Sequence, residues 1–210
     1  MPRKAIIPQS QFPYAITARS NNKEWFDLPM SSCWQIFVDK IRTTSERSGF
    51  KTHAFVLMSN HFHWLLSTPQ ANIGFGARYF LTETSRAIAR STGRINKIYG
   101  ARYKASLIGS PIYYANSYRY IYQNPLRAGL CENVFDYPWS SLSASQQIVV
   151  EPCPGFEEFI PTDRLMLNEW LNKIPDSVFN ECMRKGLKKR EFEFPRHPTK
   201  KTSVSGLEFL

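Results

Sequence analysis

Ala54-Phe55-Val56-Leu57-Met58-Ser59-Asn60-His61-Phe62-His63-Trp64-Leu65-Leu66 is the stretch whose reading decides the fold. Residues 51–58 read as one strand, Ser59-Asn60 as a tight connection, and residues 61–67 as the next strand. Side chains two apart in an extended chain point the same way, so His61 and His63 share a face. The strand around them is aromatic and aliphatic, and two polar rings on one face of it need an explanation if they are buried. A strand also holds two imidazoles rigidly, as a bidentate metal site requires.

Working outward, residues 14–19 carry strand formers and Ser20-Asn21-Asn22 forms a turn. Ser31-Ser32 offers an N-cap for a helix over 33–46, with Trp34, Phe37, Val38 and Ile41 at helical spacing and Gly49 as its stop. Beyond the histidines, a helix is expected over 74–91, then a basic loop and a strand over 102–108. A third helix should start just after Pro111 and end near Asn124, because a residue preceding proline disfavours the α conformation. Pro125 can then open a short helical turn closed by Gly129. The order β-α-β-β-α-β predicts an α+β fold. It is the ferredoxin-like split βαβ pattern, an antiparallel sheet with helices mainly on one face. This core is expected over 1–145. Residues 146–210 read as a C-terminal extension: an acidic, proline-broken part with a short helix near 165–171, then a basic tail from Arg184 to Lys201.

The chain has 210 residues, 42% of them hydrophobic, with 15 Phe, 10 Tyr and 5 Trp, so a well-buried core is expected. A net charge of +10 favours a polyanionic partner, since clustered Lys and Arg gain by releasing phosphate counterions. Cys33, Cys131, Cys153 and Cys182 are scattered, which argues against a zinc site or a disulfide framework and suits a reducing cytoplasm. Neither a signal peptide nor a membrane-spanning window is read.

The third expected helix holds Tyr113, Tyr114, Tyr118, Tyr120 and Tyr122. At about 100° per residue, Tyr120 lies about 40° from Asn124 while Tyr118 and Tyr122 point well away. Tyr113 shares the Asn124 face but sits about 16 Å up the axis. Tyr120 is thus the phenol able to share a site with Asn124. Two imidazoles, an amide one helical turn from that phenol, and the phenol as nucleophile suit metal-assisted phosphodiester cleavage through a phosphotyrosine. A basic series, Arg86, Arg90, Arg94, Lys97, Arg102 and Lys104, with Tyr79, Tyr99 and Tyr103 interleaved, suits phosphate contact and base stacking.

Three segments in order resemble a known family. They are residues 56–63 (Val-Leu-Met-Ser-Asn-His-Phe-His), residues 120–130 (Tyr-Ile-Tyr-Gln-Asn-Pro-Leu-Arg-Ala-Gly-Leu) and residues 136–141 (Asp-Tyr-Pro-Trp-Ser-Ser). They are similar to the HUH single-tyrosine transposases, in the branch of REP-associated tyrosine transposases, over roughly residues 1–145. The resemblance implies a ferredoxin-like catalytic domain that cuts and rejoins single-stranded DNA at hairpin-bearing REP palindromes. It implies dependence on Mg2+ or Mn2+ and a 5′-phosphotyrosine with a free 3′-hydroxyl. Tyr120 matches the nucleophile, His61 and His63 the metal ligands, and Asn124 the polar ligand completing the site. Tyr14 and Arg19 match an N-terminal strand that lies near the bases read beside the hairpin. Ala15 stands where a histidine is common, and Ser20 where a glycine is common. Neutral imidazoles favour manganese chemically over magnesium. A bacterial, cytoplasmic, nucleoid-associated protein acting as a monomer or weak dimer is expected. The rival readings are a REP-hairpin binder that does not cut, and an RNA-binding ferredoxin-like domain whose glycine and aromatic spacing does not fit. A two-histidine phosphoesterase is set aside, because only His197-Pro198-Thr199 matches its motif.

Overall fold

The computed structural model describes residues 6–145, 147–173 and 177–195. Four antiparallel strands form one sheet: β1 (Tyr14–Arg19), β2 (Lys51–Leu57), β3 (His61–Ser67) and β4 (Lys104–Leu107), in the order β2-β3-β1-β4. Helices α1 (Met30–Ser48) and α2 (Ile73–Thr92) are the two crossovers of the split βαβ unit. α1 starts earlier than the serine cap suggests. Pro29, at φ −52°, sets the entry, and the Cys33 amide bonds the Pro29 carbonyl at 3.0 Å. Gly49, at φ +67°, ends α1 in a left-handed conformation.

The sheet is buried on both faces, with the two long crossover helices on one of them. On the first face, Ile16, Phe55, Leu57, Phe62 and Trp64 pack against Trp34, Phe37, Ile41 and Phe80 of α1 and α2. Phe37 alone meets Phe55, Phe62 and Phe80 with ring centroids 5.7–6.0 Å apart. Each such buried aromatic contributes roughly 1.5–3 kcal/mol. The opposite face, Ala15, Ala54, Val56 and Leu65, is covered by α3 (Pro111–Tyr122). The reason lies in β2 and β3, which are apolar at consecutive positions and so need cover on both sides.

α3 runs almost unbroken into the short α4 (Asn124–Arg127), with the Gln123 amide bonded to Arg119 O and the Arg127 amide to Gln123 O, each at 3.0 Å. α5 (Arg164–Asn172) and α6 (Ser177–Gly186) follow, the second unexpected. The segment beyond 145 shares the second core instead of trailing from it. Leu171, Phe179, Met183, Phe192 and Phe194 are all buried there. Gln123 Nε2 donates to Leu171 O (2.7 Å) and Lys173 O (2.9 Å), and Arg119 Nη2 donates to Lys173 O (2.6 Å).

Both sheet edges are covered. Along β2, the Leu57 amide bonds Trp139 O and the Ser141 amide bonds Phe55 O, each at 2.9 Å, while the Tyr137 hydroxyl donates to Leu57 O at 2.8 Å. Along β4, the Leu107 amide bonds Arg190 O (2.9 Å) and the Phe192 amide bonds Leu107 O (2.8 Å). Covered edges remove a template for strand-to-strand aggregation. Among the described residues, no helix is long and apolar enough to cross a membrane.

Candidate active site

Strand parity builds the site. Val56, His63, Thr17 and Lys104 stand opposite one another across the four strands, and Arg19 stands opposite His61 one step along. Cross-strand partners point to the same face. His61, His63, Thr17, Arg19 and Lys104 therefore share the face that α3 covers, with Lys104 about 10 Å from His63 at two strand spacings. The imidazole centroids are 5.2 Å apart with planes at 80°.

From above, α3 brings Tyr120, whose ring lies 6.2 Å from that of His63 and nearly perpendicular to it. Asn124 follows one turn later, its Nδ2 donating to Tyr120 O (3.0 Å) and Ile121 O (3.1 Å). That pairing fixes the amide against the helix and leaves Oδ1 to act as an acceptor or ligand. Tyr122 is structural, as helical phase requires. It is buried, and its hydroxyl lies 2.7 Å from Ser141 Oγ.

Two contributors were not anticipated. Asn60 Nδ2 donates to Lys23 O at 2.7 Å, so its Oδ1 must be the acceptor for His61 Nδ1–H, also at 2.7 Å. This selects the His61 tautomer whose Nε2 keeps a free lone pair. Arg127 lies with its guanidinium 4.0 Å from the Tyr120 ring centroid and donates to Tyr120 O at 3.0 Å. Its Nη1 is buried without a partner, a fixed cationic donor beside the phenol. Asn60 precedes the histidines directly and Arg127 lies within the 120–130 segment, so both were visible in the sequence as positions, though not as roles.

Burial, with the charge of Arg19 second, brings the His61 imidazole down to about 4. Burial also holds His63 well below the ordinary imidazole value, helped by His61, Arg127 and Arg19. Both rings are therefore neutral at pH 7, the form that coordinates a metal. Among the described residues no group of three or more His, Cys, Asp or Glu is placed to hold a metal ion. The donor set here is two imidazoles and one amide oxygen. That set fits a divalent ion that completes its shell with water and substrate oxygens.

These groups open into a cleft of about 750 Å³. Arg19, Lys23, Arg102, Lys104, Arg184 and Lys188 line it, and among the described residues no acidic side chain does. Expected site residues thus divide. His61, His63, Tyr120, Asn124, Arg19, Arg102 and Lys104 come together, while Arg184 and Lys188 bring in the start of the basic tail. Residues 196–201 of that tail lie outside the described residues. Tyr14 is the reverse case: it is 1% exposed and packs in the α1–α2 core, because it sits at odd spacing from Arg19 and so on the other face. Its hydroxyl donates to Ile7 O, and it offers DNA no surface. Arg86 and Arg90 ride on α2, across the sheet from the cleft, and Arg86 pairs with Glu83 at 2.9 Å. Arg94 is engaged by Glu24 and by Asp27 (3.2 Å), and only 14% of its side chain is exposed. Lys97 is exposed but does not line the cleft.

No family model matches the chain. A protein of Haemophilus influenzae (strain ATCC 51907 / DSM 11121 / KW20 / Rd) named as a REP-associated tyrosine transposase is 28% identical over 127 residues, 55% of this chain and 72% of the relative. A solved structure of a REP-associated tyrosine transposase bound to a REP hairpin superposes with a TM-score of 0.57 at 21% identity, covering 67% of this chain and 82% of the other. That likeness shows the shared α+β fold. In sequence the chain is thus similar to a REP-associated tyrosine transposase, and it shares its α+β fold with another.

Proposed function

We propose that the protein is a metal-dependent endonuclease and strand transferase for single-stranded DNA at REP-type hairpins, working through a 5′-phosphotyrosine. The observation that carries this reading is the set His61, His63, Tyr120 and Asn124 in one cleft whose charged lining, among the described residues, is all basic. The basic walls would hold the phosphodiester backbone, which carries affinity without sequence information. His61, His63 and Asn124 would hold Mg2+ or Mn2+, which when bound would polarise a scissile phosphate oxygen.

The Tyr120 oxygen attacks the phosphorus, the bond from phosphorus to the 3′-oxygen breaks, and that oxygen leaves as a 3′-hydroxyl after taking a proton. The phenolic proton passes to solvent. Arg127 stabilises negative charge beside the phenol while the bond forms and again when the tyrosyl oxygen leaves. Because the ester keeps the phosphodiester's energy, another 3′-hydroxyl can attack it and rejoin the strand without a nucleotide cofactor.

All four groups come from one chain, so a monomer or weak dimer suffices. The implied setting is the bacterial cytoplasm, on the chromosome. The test is incubation of 5′-flanked, labelled REP-hairpin strands with protein and Mn2+, followed by denaturing gels. A covalent protein–DNA adduct is expected, and it should disappear in His61→Ala. Binding of the hairpin with no adduct would instead make this a silent hairpin-binding protein. Mixing Tyr120→Phe with His61→Ala protein should not restore the adduct, and restoration would place the tyrosine in trans.

A further inference from the structure

The loop after β1 is built with unusual backbone geometry. Among the described residues only four other than glycine have positive φ, and three of them, Asn22, Lys23 and Asp27, fall within six positions here. Asparagine and aspartate tolerate that region, whereas lysine adopts it when the surroundings force it to. The surroundings do so. Arg94 reaches from the end of α2 to Glu24 and Asp27, the Asn21 amide bonds Ile98 O at 2.7 Å, and the Phe26 amide bonds Ser59 O at 3.2 Å. Gly100 presses so close that an added Cβ would lie 2.7 Å from Asn21 Oδ1. Asn60 ties the loop to His61 through Lys23 O.

The product of this construction is an outward tryptophan. Phe26 is 2% exposed and packs on Phe37 and Tyr99, whereas its neighbour Trp25 is 72% exposed. A strained, many-tied loop that ends in a solvent-facing indole gains nothing for the core. Asn22 and Lys23, at the base of the same loop, line the cleft with His61. An exposed indole two residues along the loop from the cleft-lining Lys23 is complementary to an unpaired nucleobase, with the adjoining phosphates held by Lys23 and Arg19.

We propose that Trp25 is a positioning residue that stacks on one unpaired base of the strand flanking the hairpin, fixing which phosphate reaches Tyr120. This rests on the function proposed above, and the two are separable by experiment. Binding is measured without divalent ions, so that no cleavage intervenes, on a REP-type hairpin with single-stranded flanks and on the same hairpin blunt-ended. Trp25→Ala should weaken flanked-hairpin binding by about 5- to 100-fold, leave the blunt hairpin unchanged and leave Tm unchanged. Trp25→Phe should keep most of the affinity. Strand binding should quench the wild-type tryptophan fluorescence, and most of that quench should vanish in Trp25→Phe.

An abasic scan of the flank supplies the readout that a merely structural role would not move. At one position the abasic site should weaken the wild type and leave Trp25→Ala indifferent. Equal flanked-hairpin affinity of wild type and Trp25→Ala, or a loss spread equally over flanked and blunt substrates, overturns the stacking proposal. An adduct formed by wild type with no Trp25 effect leaves the nuclease reading standing, and a Trp25 effect with no adduct does the reverse.

Discussion

Tyr120 and Tyr122 lie two residues apart on one helix, and their phenylalanine variants should fail in opposite ways. Tyr122 is fully enclosed, and its hydroxyl shares a 2.7 Å hydrogen bond with Ser141 Oγ, which also accepts the Phe55 amide at 2.9 Å. Removing the Tyr122 oxygen leaves Ser141 its backbone donor and takes away one buried partner, a cost of about 1–3 kcal/mol. For a chain of this size each kcal/mol moves Tm by about 2–4 °C, so Tyr122→Phe should melt roughly 2–12 °C lower. It should still form the DNA adduct, because its oxygen points into the core. Tyr120 is half-buried at the edge of the cleft, where solvent can replace whatever its oxygen loses. Tyr120→Phe should shift Tm by less than about 2 °C, keep hairpin affinity and lose the adduct entirely. Differential scanning fluorimetry and a denaturing gel read both outcomes on the same samples. An adduct surviving in Tyr120→Phe, or lost in Tyr122→Phe at unchanged Tm, would refute the assignment of the nucleophile.

Asn60→Ala should leave the fold intact and weaken Mn2+ binding by about 10- to 100-fold in calorimetry, since it frees the His61 ring to turn; unchanged affinity would remove Asn60 from the site. Lys104→Ala should flatten the dependence of log affinity on log salt by about one unit, whereas Arg94→Ala, already paired within the chain, should leave that slope alone. Equal slopes for the two variants would show that the cleft is not where phosphates lie. His53 is buried, donating from Nδ1 to Glu151 O (2.8 Å) and accepting from Ser67 Oγ at Nε2 (2.9 Å), and burial lowers its affinity for a proton. The unfolded chain therefore binds the extra proton first, and stability is full above about pH 6.5 and falls as pH drops below it. His53→Asn should show a shallower decline in Tm between pH 7.5 and 5.5, and an identical decline would mean that His53 takes up its proton without resistance in the folded state.

The strands and the His61–His63 face were legible because period-two alternation is a local property, and the Tyr120–Asn124 pairing was legible because helical phase can be counted. Parity could also have excluded Tyr14, which stands five residues from Arg19 and so on the opposite face. The cover on the second face was less visible. Its signal was the unbroken apolar character of Ala54-Phe55-Val56-Leu57, which a sheet with one wet face does not need. Residues 136–141 matched the family as a string, but only the structure gives them a task, sealing the β2 edge through Trp139 and Ser141. Charge misled the reading twice. Arg86, Arg90 and Arg94 look like a stripe in sequence, yet α2 faces away from the cleft and Arg94 has acidic partners far away in the chain. The basic composition after 183 likewise hid α6, whose Phe179, Cys182, Met183 and Gly186 make a buried stripe beneath the lysines.

That buried stripe decides what the C-terminal segment is. A detachable tail could be removed with loss of DNA affinity alone. Here Phe179 and Met183 are 1% and 0% exposed, and Phe192 and Phe194 are 2% and 5% exposed and stack edge-on against Tyr113 of α3. Four such side chains at roughly 1.5–3 kcal/mol each represent about 6–12 kcal/mol, an upper estimate that matches the whole stability of a typical domain. Deleting residues 177–210 would also uncover the β4 edge now paired to Arg190 and Phe192, and remove Arg184 and Lys188 from the cleft wall. The truncated chain should therefore aggregate or melt without a cooperative transition. The tail-charge variant Arg184→Ala/Lys188→Ala should fold normally and bind hairpin DNA more weakly, with a salt slope flatter by about two units. A truncated protein that stays soluble, melts cooperatively near the wild-type temperature and forms the adduct would show that the second core is closed by α3 alone.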